Sequence, residues 1–174
     1  MRVAGVKVEL KEKIQFLNAL QQAGLRFDEA TTQHDRVFMG DSKQTTLIAR
    51  TSVDSGGNQA HSLIFRQYAT NGTVLSYATE VADYEQLIRI IGGLGYKQLA
   101  EVNKQRQTVK ITDTIMLSFD KVKELGEYIK LERTVGDKDN LNWIRADLAE
   151  ALKNLGISEN AKLAGPYGEL LAKK

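Results

Sequence analysis

Charged side chains recur at two-residue spacing in several short stretches: Lys7, Glu9 and Lys11; Lys104 and Arg106; Lys130 and Glu132; and Arg50 follows Ile48 at the same spacing. In an extended chain that spacing puts each set on one face of its strand, opposite apolar residues such as Val6, Val8 and Leu10. Arg and Lys held on rigid strands can neutralise a multiply charged anion with a fixed geometry that solvated surface charges lack. Arg grips two phosphate oxygens at once, and Lys acts as a movable point charge. Competing chemistries are few. The chain has no Cys, which excludes a disulfide framework, a thiolate zinc site, an iron–sulfur cluster and a cysteine nucleophile. His34 and His61 are too few and too far apart to make a metal site, and no Ser or Thr is marked as a nucleophile beside a base. The Gly92-Gly93-Leu94-Gly95 cluster follows a helix and lacks the Lys-Ser/Thr partner of a phosphate loop, so it reads as a helix stop.

The elements that must position these charges follow from periodicity and turn chemistry. Strands are predicted over 2–11, 26–38, 45–53, 61–69, 73–81, 96–107, 108–118 and 127–135. Hairpin clusters at Gly40-Asp41-Ser42, Asp54-Ser55-Gly56-Gly57-Asn58 and Asn71-Gly72 separate the second to fifth. The segment from Asp120 to Gly126 reads as a connection. A helix over 12–23 carries Ile14, Leu17 and Leu20 and ends at Gly24. A second begins at an Asp83 cap and carries Leu87, Ile90 and Ile91. A third, over 139–155, carries Leu141, Ile144, Leu148, Leu152 and Leu155, with Trp143 packed at its edge. The tail from Ala164 docks through Tyr167, Leu170 and Leu171.

Eight strands with mostly hairpin connections and three helices make a single α+β domain over 1–174, its sheet mostly antiparallel. If the helices cover the apolar outer face, the charges line the inside of a closed sheet, giving an eight-stranded β-barrel, a tunnel with polar interior. A net charge of +2 with 42% apolar residues is too balanced for a histone-like nucleic-acid binder and too apolar for disorder. The N-terminal residues do not read as a signal peptide, and no stretch approaches a membrane span. A cytoplasmic protein with neither nucleic-acid nor membrane partners is expected, and a homodimer is compatible with the sequence.

Taken in order, these stretches resemble the CYTH superfamily of triphosphate tunnel enzymes, which includes class IV adenylyl cyclases and thiamine triphosphatases. Lys7-Val8-Glu9-Leu10-Lys11 resembles its N-terminal ExExK strand with the first Glu replaced by Lys. Gln33 to Phe38 is similar to a strand with Asp before an aromatic, and Thr45 to Arg50 to an LRIR strand whose first Arg is Ile48. Leu63-Ile64-Phe65-Arg66 keeps a terminal cation. Leu94-Gly95-Tyr96 and Val102-Asn103-Lys104-Gln105-Arg106 resemble LGF and VxKxR. Asp120 to Glu132 resembles DxxxxLGxFxEIE with Lys130 at the first strand Glu, and Tyr167 to Leu171 the SYxxLL element of class IV cyclases.

The resemblance implies a triphosphate ligand, ATP or another organic triphosphate, held by Lys11, Arg50, Arg66, Lys104 and Arg106. It also implies a divalent metal, magnesium or manganese, held by Glu9, Asp120 and Glu132, with Lys11 and Asp120 the catalytic pair. The reaction implied is cyclisation of ATP to cyclic AMP and pyrophosphate. The alternatives are an inorganic or thiamine triphosphatase of the same fold, or a non-catalytic polyphosphate- or nucleotide-binding protein with no cofactor. Lys7, Lys130 and Ile48 are the degenerate positions. Seven inward cations (Lys7, Lys11, Arg50, Arg66, Lys104, Arg106, Lys130) face three carboxylates, a net of +4, which is hostile to a dication.

Overall fold

A computed structural model describes residues 1–42, 44–70, 73–158 and 161–174. Period-two alternation becomes eight strands: β1 (Arg2–Glu9), β2 (Thr31–Met39), β3 (Thr45–Val53), β4 (Gln59–Tyr68), β5 (Thr73–Glu80), β6 (Lys97–Lys110), β7 (Ile115–Val122) and β8 (Gly126–Thr134). They close into one barrel in the order β1-β5-β4-β3-β2-β6-β7-β8, every neighbour antiparallel, with β8 returning to β1. This is the α+β barrel that the charge alternation predicts. The Asn71-Gly72 turn falls outside the described residues.

The helices are α1 (Lys13–Gln22), α2 (Tyr84–Gly93), α3 (Leu141–Asn154) and α4 (Tyr167–Ala172). Outward side chains of β1, β7 and β8, among them Val8, Leu117, Ile129 and Leu131, pack against Phe16 and Leu20 of α1 and Ile144, Leu148 and Leu152 of α3. Phe38, Leu47 and Ala49 pack against Leu87 and Ile91 of α2, whose start is fixed by Asp83 accepting from the Gln86 amide. The stripe of α3 is buried as expected at Ile144, Leu148 and Leu152, while three details differ: Ile14 and Leu17 are exposed because Phe16 and Leu20 form the buried side of α1, Ile90 is exposed, and Trp143 stands 75% exposed rather than packed.

Two boundaries change with consequences for the site. The sixth strand runs on to Lys110, and the turn falls at Thr112, whose hydroxyl accepts from the amides of Thr114 and Ile115. The seventh therefore extends to Val122, and Asp120 sits on a strand rather than in a connection. The second strand starts at Thr31, not Arg26. The tail forms the fourth helix, docked as expected through Tyr167, Leu170 and Leu171 against Val37, Ile48, Ile64, Val102, Val122 and Tyr128. These apolar partners share strand faces with Asp35, Arg50, Arg66, Lys104, Asp120 and Lys130, so the interior is part apolar and part charged.

Candidate functional site: a basic tunnel with paired carboxylates

Alternation along β1 sends Val3, Gly5 and Lys7 inward. With Arg50, Ile64, Arg66, Tyr68, Lys130 and Glu132 they line a cavity of about 370 Å³. Ala164, Gly165 and Pro166 of the tail also line it. Rigid strands hold each cation: Lys7 pairs in register with Lys130, Arg106 with Asp120, and Arg50 with Asp35.

Each inward carboxylate is already engaged. Asp35, 4% exposed, receives a fork from Arg50, Nε to Oδ1 at 2.6 Å and Nη2 to Oδ2 at 2.9 Å, and Lys104 Nζ bonds Oδ2. Burial pushes the Asp35 carboxyl up, and the Arg50 fork with Lys104 more than reverses this, holding it well below the usual carboxylate range. Asp120, 0% exposed, receives a second fork from Arg106, both bonds at 2.6 Å, and a hydrogen bond donated by the Tyr167 hydroxyl at 2.8 Å. Its carboxyl is raised by burial and lowered on balance by Arg106 and Tyr167. Glu132 pairs with Lys130, which outweighs its burial and holds its carboxyl low.

Two cations are left over. Among the described residues neither Lys7 nor Arg66 has a carboxylate within ion-pair distance. The Lys7 ammonium lies 3.7 Å from the centre of the Tyr167 ring, a cation–π contact. Burial, then the charges of Lys130 and Arg66, pull the Lys7 pKa down to about 7. Burial pulls Lys130 to about 8 against the opposing pull of Glu132. Six cations (Lys7, Arg50, Arg66, Lys104, Arg106, Lys130) face three carboxylates (Asp35, Asp120, Glu132), a net of +3. This replaces the sequence-based +4.

The difference comes from the first strand. Glu9 and Lys11 are exposed and border a separate hollow with Glu12, Ile157 and Lys162, so neither joins the cavity. The cavity-facing positions with ExExK spacing lie four residues upstream, at Val3, Gly5 and Lys7. Arg50, Arg66, Lys104, Arg106, Asp120 and Glu132 do face the interior. Ile48 does too, within the apolar cluster. Sequence reasoning missed Asp35 as the hub of a buried triad, although the run Gln33, Asp35, Val37 on one face carried the signal. It also missed the entry of Tyr167 to the interior.

A family model described as the CYTH domain matches residues 7–167. The chain belongs to the CYTH family. A protein of Methanocaldococcus jannaschii named "Putative adenylate cyclase" is 27% identical over 174 residues, covering 95% of each chain. Among solved structures, a protein from Pyrococcus horikoshii OT3 superposes with a TM-score of 0.83 at 19% identity over 98% of both chains. A Hippeastrum protein, titled "Putative adenylyl cyclase" and reported with a dominant triphosphatase activity, gives 0.65 at 14% identity, covering 100% of this chain and 97% of its own. These structural likenesses show the shared fold.

Against the divalent metal that the family resemblance implies, the donor set of this CYTH protein does not fit. Glu9 lies outside the cavity, Asp120 has both oxygens in the Arg106 fork, and Glu132 is held by Lys130. Among the described residues no three acidic or imidazole side chains gather where one cation could touch them. The cavity adds two ammonium groups, Lys7 and Lys130, where a dication would need oxygen donors.

Proposed function

We propose that this CYTH protein binds a triphosphate or short polyphosphate, free or as an organic ester, in its tunnel through side chains alone. The observation that carries this reading is the pair of leftover cations, Lys7 and Arg66, in a cavity whose carboxylates are all engaged. A bound polyanion relieves the repulsion among the interior cations. Arg66 supplies a planar fork for two oxygens of one phosphate, and Lys7 a point charge for the next. Lys130 and Arg50 line the same cavity and can turn from their carboxylate partners toward the anion or share them with it.

Cyclase and triphosphatase activities stand in the names of relatives. In this chain they would require a Lewis acid or its equivalent at the reacting phosphorus, and the interior offers ammonium and guanidinium groups in that place. Binding without turnover is therefore the reading the residue set supports best.

The test is a thermal-shift panel with ATP, tripolyphosphate, thiamine triphosphate and pyrophosphate, each in EDTA and in magnesium or manganese. At a ligand concentration roughly a hundredfold over Kd, binding raises the melting temperature by about 5–10 °C. The expected result is a shift fully developed in EDTA and no product on incubation. A shift that needs the metal, with cyclic nucleotide or orthophosphate appearing, overturns the proposal.

A further inference from the structure

Lys7 is the amine that the ion-pair network leaves over. The groups around it come from several walls of the tunnel: Lys130 and Glu132 from β8, Arg66 from β4, Arg50 from β3, Asp120 from β7, Arg106 from β6, and the Tyr167 ring from α4. Of the carboxylates, Glu132 is taken by Lys130 and Asp120 by Arg106 and Tyr167. Lys7 therefore rests its nitrogen against the Tyr167 ring and, together with Arg66, lines a cavity of about 370 Å³. A buried lysine beside other cations is the environment in which an amine acts as a nucleophile toward carbonyl carbon.

We propose that Lys7 is a covalent capture site for aldehydes that carry a phosphate, the amine forming a reversible imine while Arg66 holds the anionic group. The Lys7 ammonium gives one proton to solvent, its nitrogen lone pair adds to the aldehyde carbon, and the carbonyl oxygen takes up two protons, one from the amine and one back from solvent, and leaves as water. The nitrogen of the N=C bond keeps its last hydrogen and one positive charge, the same charge as the ammonium it replaces. No oxidant or reductant takes part. The inference is independent of the metal-free polyphosphate reading: it needs the cavity, the amine and one guanidinium, and no triphosphate.

The probe is pyridoxal 5′-phosphate, with pyridoxal as the arm that lacks the phosphate. The intact chain is incubated with each, the imine is reduced with borohydride to a stable secondary amine, and the modified residues are located by peptide mass mapping. The expected result is modification concentrated at Lys7, with pyridoxal reacting roughly tenfold more slowly, the equivalent of one charge-assisted phosphate contact. Arg66→Gln should erase the difference between the two probes while leaving Lys7 reactive. Labels on exposed lysines such as Lys97, Lys110 and Lys121 with Lys7 unmodified overturn the proposal, as do equal rates for the two probes in the unaltered protein. The mapping needs no variant, so it stands even if Arg66→Gln fails to fold. Lys7 labelling without a tripolyphosphate thermal shift removes the polyphosphate reading and keeps this one.

Discussion

Lys7 and Lys130 sit opposite each other on neighbouring strands, in a cavity they share with Arg66, and burial is the first reason that both are held below the ordinary lysine value of 10.5. Their pKa values of about 7 and about 8 make a prediction with a definite sign. Above these values the folded chain has released protons that the unfolded chain keeps until 10.5, so stability rises with pH across that window. Below about 7 both lysines are charged in both states, and their mutual repulsion weighs fully on the fold. A polyanion reverses the preference by favouring the ammonium forms, so its binding near pH 8 should take up protons and weaken as pH rises further. Denaturant melts across the window test the first part, and titration calorimetry in buffers of different ionisation enthalpy tests the second. Stability falling with pH in that window, or protons released on binding, would show that the lysines are paired in a way the cavity geometry does not display.

At the scale of elements, the strand pairs that carry charge were legible where alternation is unbroken: Lys104 with Arg106 and Lys130 with Glu132 face inward as their spacing requires. The first strand was not, because Lys7 to Lys11 contains the better match to a charged motif, and only closure of the barrel decides which residues share the cavity. That closure sets Gly5 opposite Glu132. It also explains why a small residue stands there, since a Cβ at Gly5 would lie 2.9 Å from the Leu131 carbonyl oxygen and 3.1 Å from Glu132 Cγ. The Asp120 boundary was misread for a related reason: the turn between β6 and β7 lies at Thr112 to Thr114, later than alternation alone suggests, and the end of β7 moves on with it to Val122. Gly5→Ala should cost roughly 1–3 kcal/mol through overpacking between β1 and β8. Gly92→Ala serves as the control. It lies in α2 with no atom within 4 Å of its added Cβ, and it should be neutral or stabilising by roughly 0.4–1 kcal/mol. Equal effects in urea melts would mean that the close approach between β1 and β8 is not maintained in solution.

The whole molecule closes unevenly. β1 pairs with β8 from Val3 to Glu9, but with β5 only from Arg2 to Ala4. Beyond Ala4 the other edge of β1 is met by the tail: the Ala164 amide donates to the Lys7 carbonyl at 2.7 Å, and Leu163 bridges to Val8. Pro166 then starts α4 and places Tyr167 inside, edge-on to Tyr128 and bonded to Asp120. The tail thus completes a wall and fills part of the interior it encloses. Tyr167→Ala removes a buried ring and leaves the Asp120–Arg106 pair without its third partner, at a cost of roughly 3–5 kcal/mol. The loss should be local, because β6, β7 and β8 keep their continuous pairing. Deuterium uptake should accelerate over 161–174 and along β1, and remain slow over β6 and β7. Uniform acceleration around the barrel would instead make α4 part of one cooperative unit with the sheet. Local acceleration would mark the seam between β1 and β5 as the path to the cavity, since Ala164, Gly165 and Pro166 of the tail line that cavity.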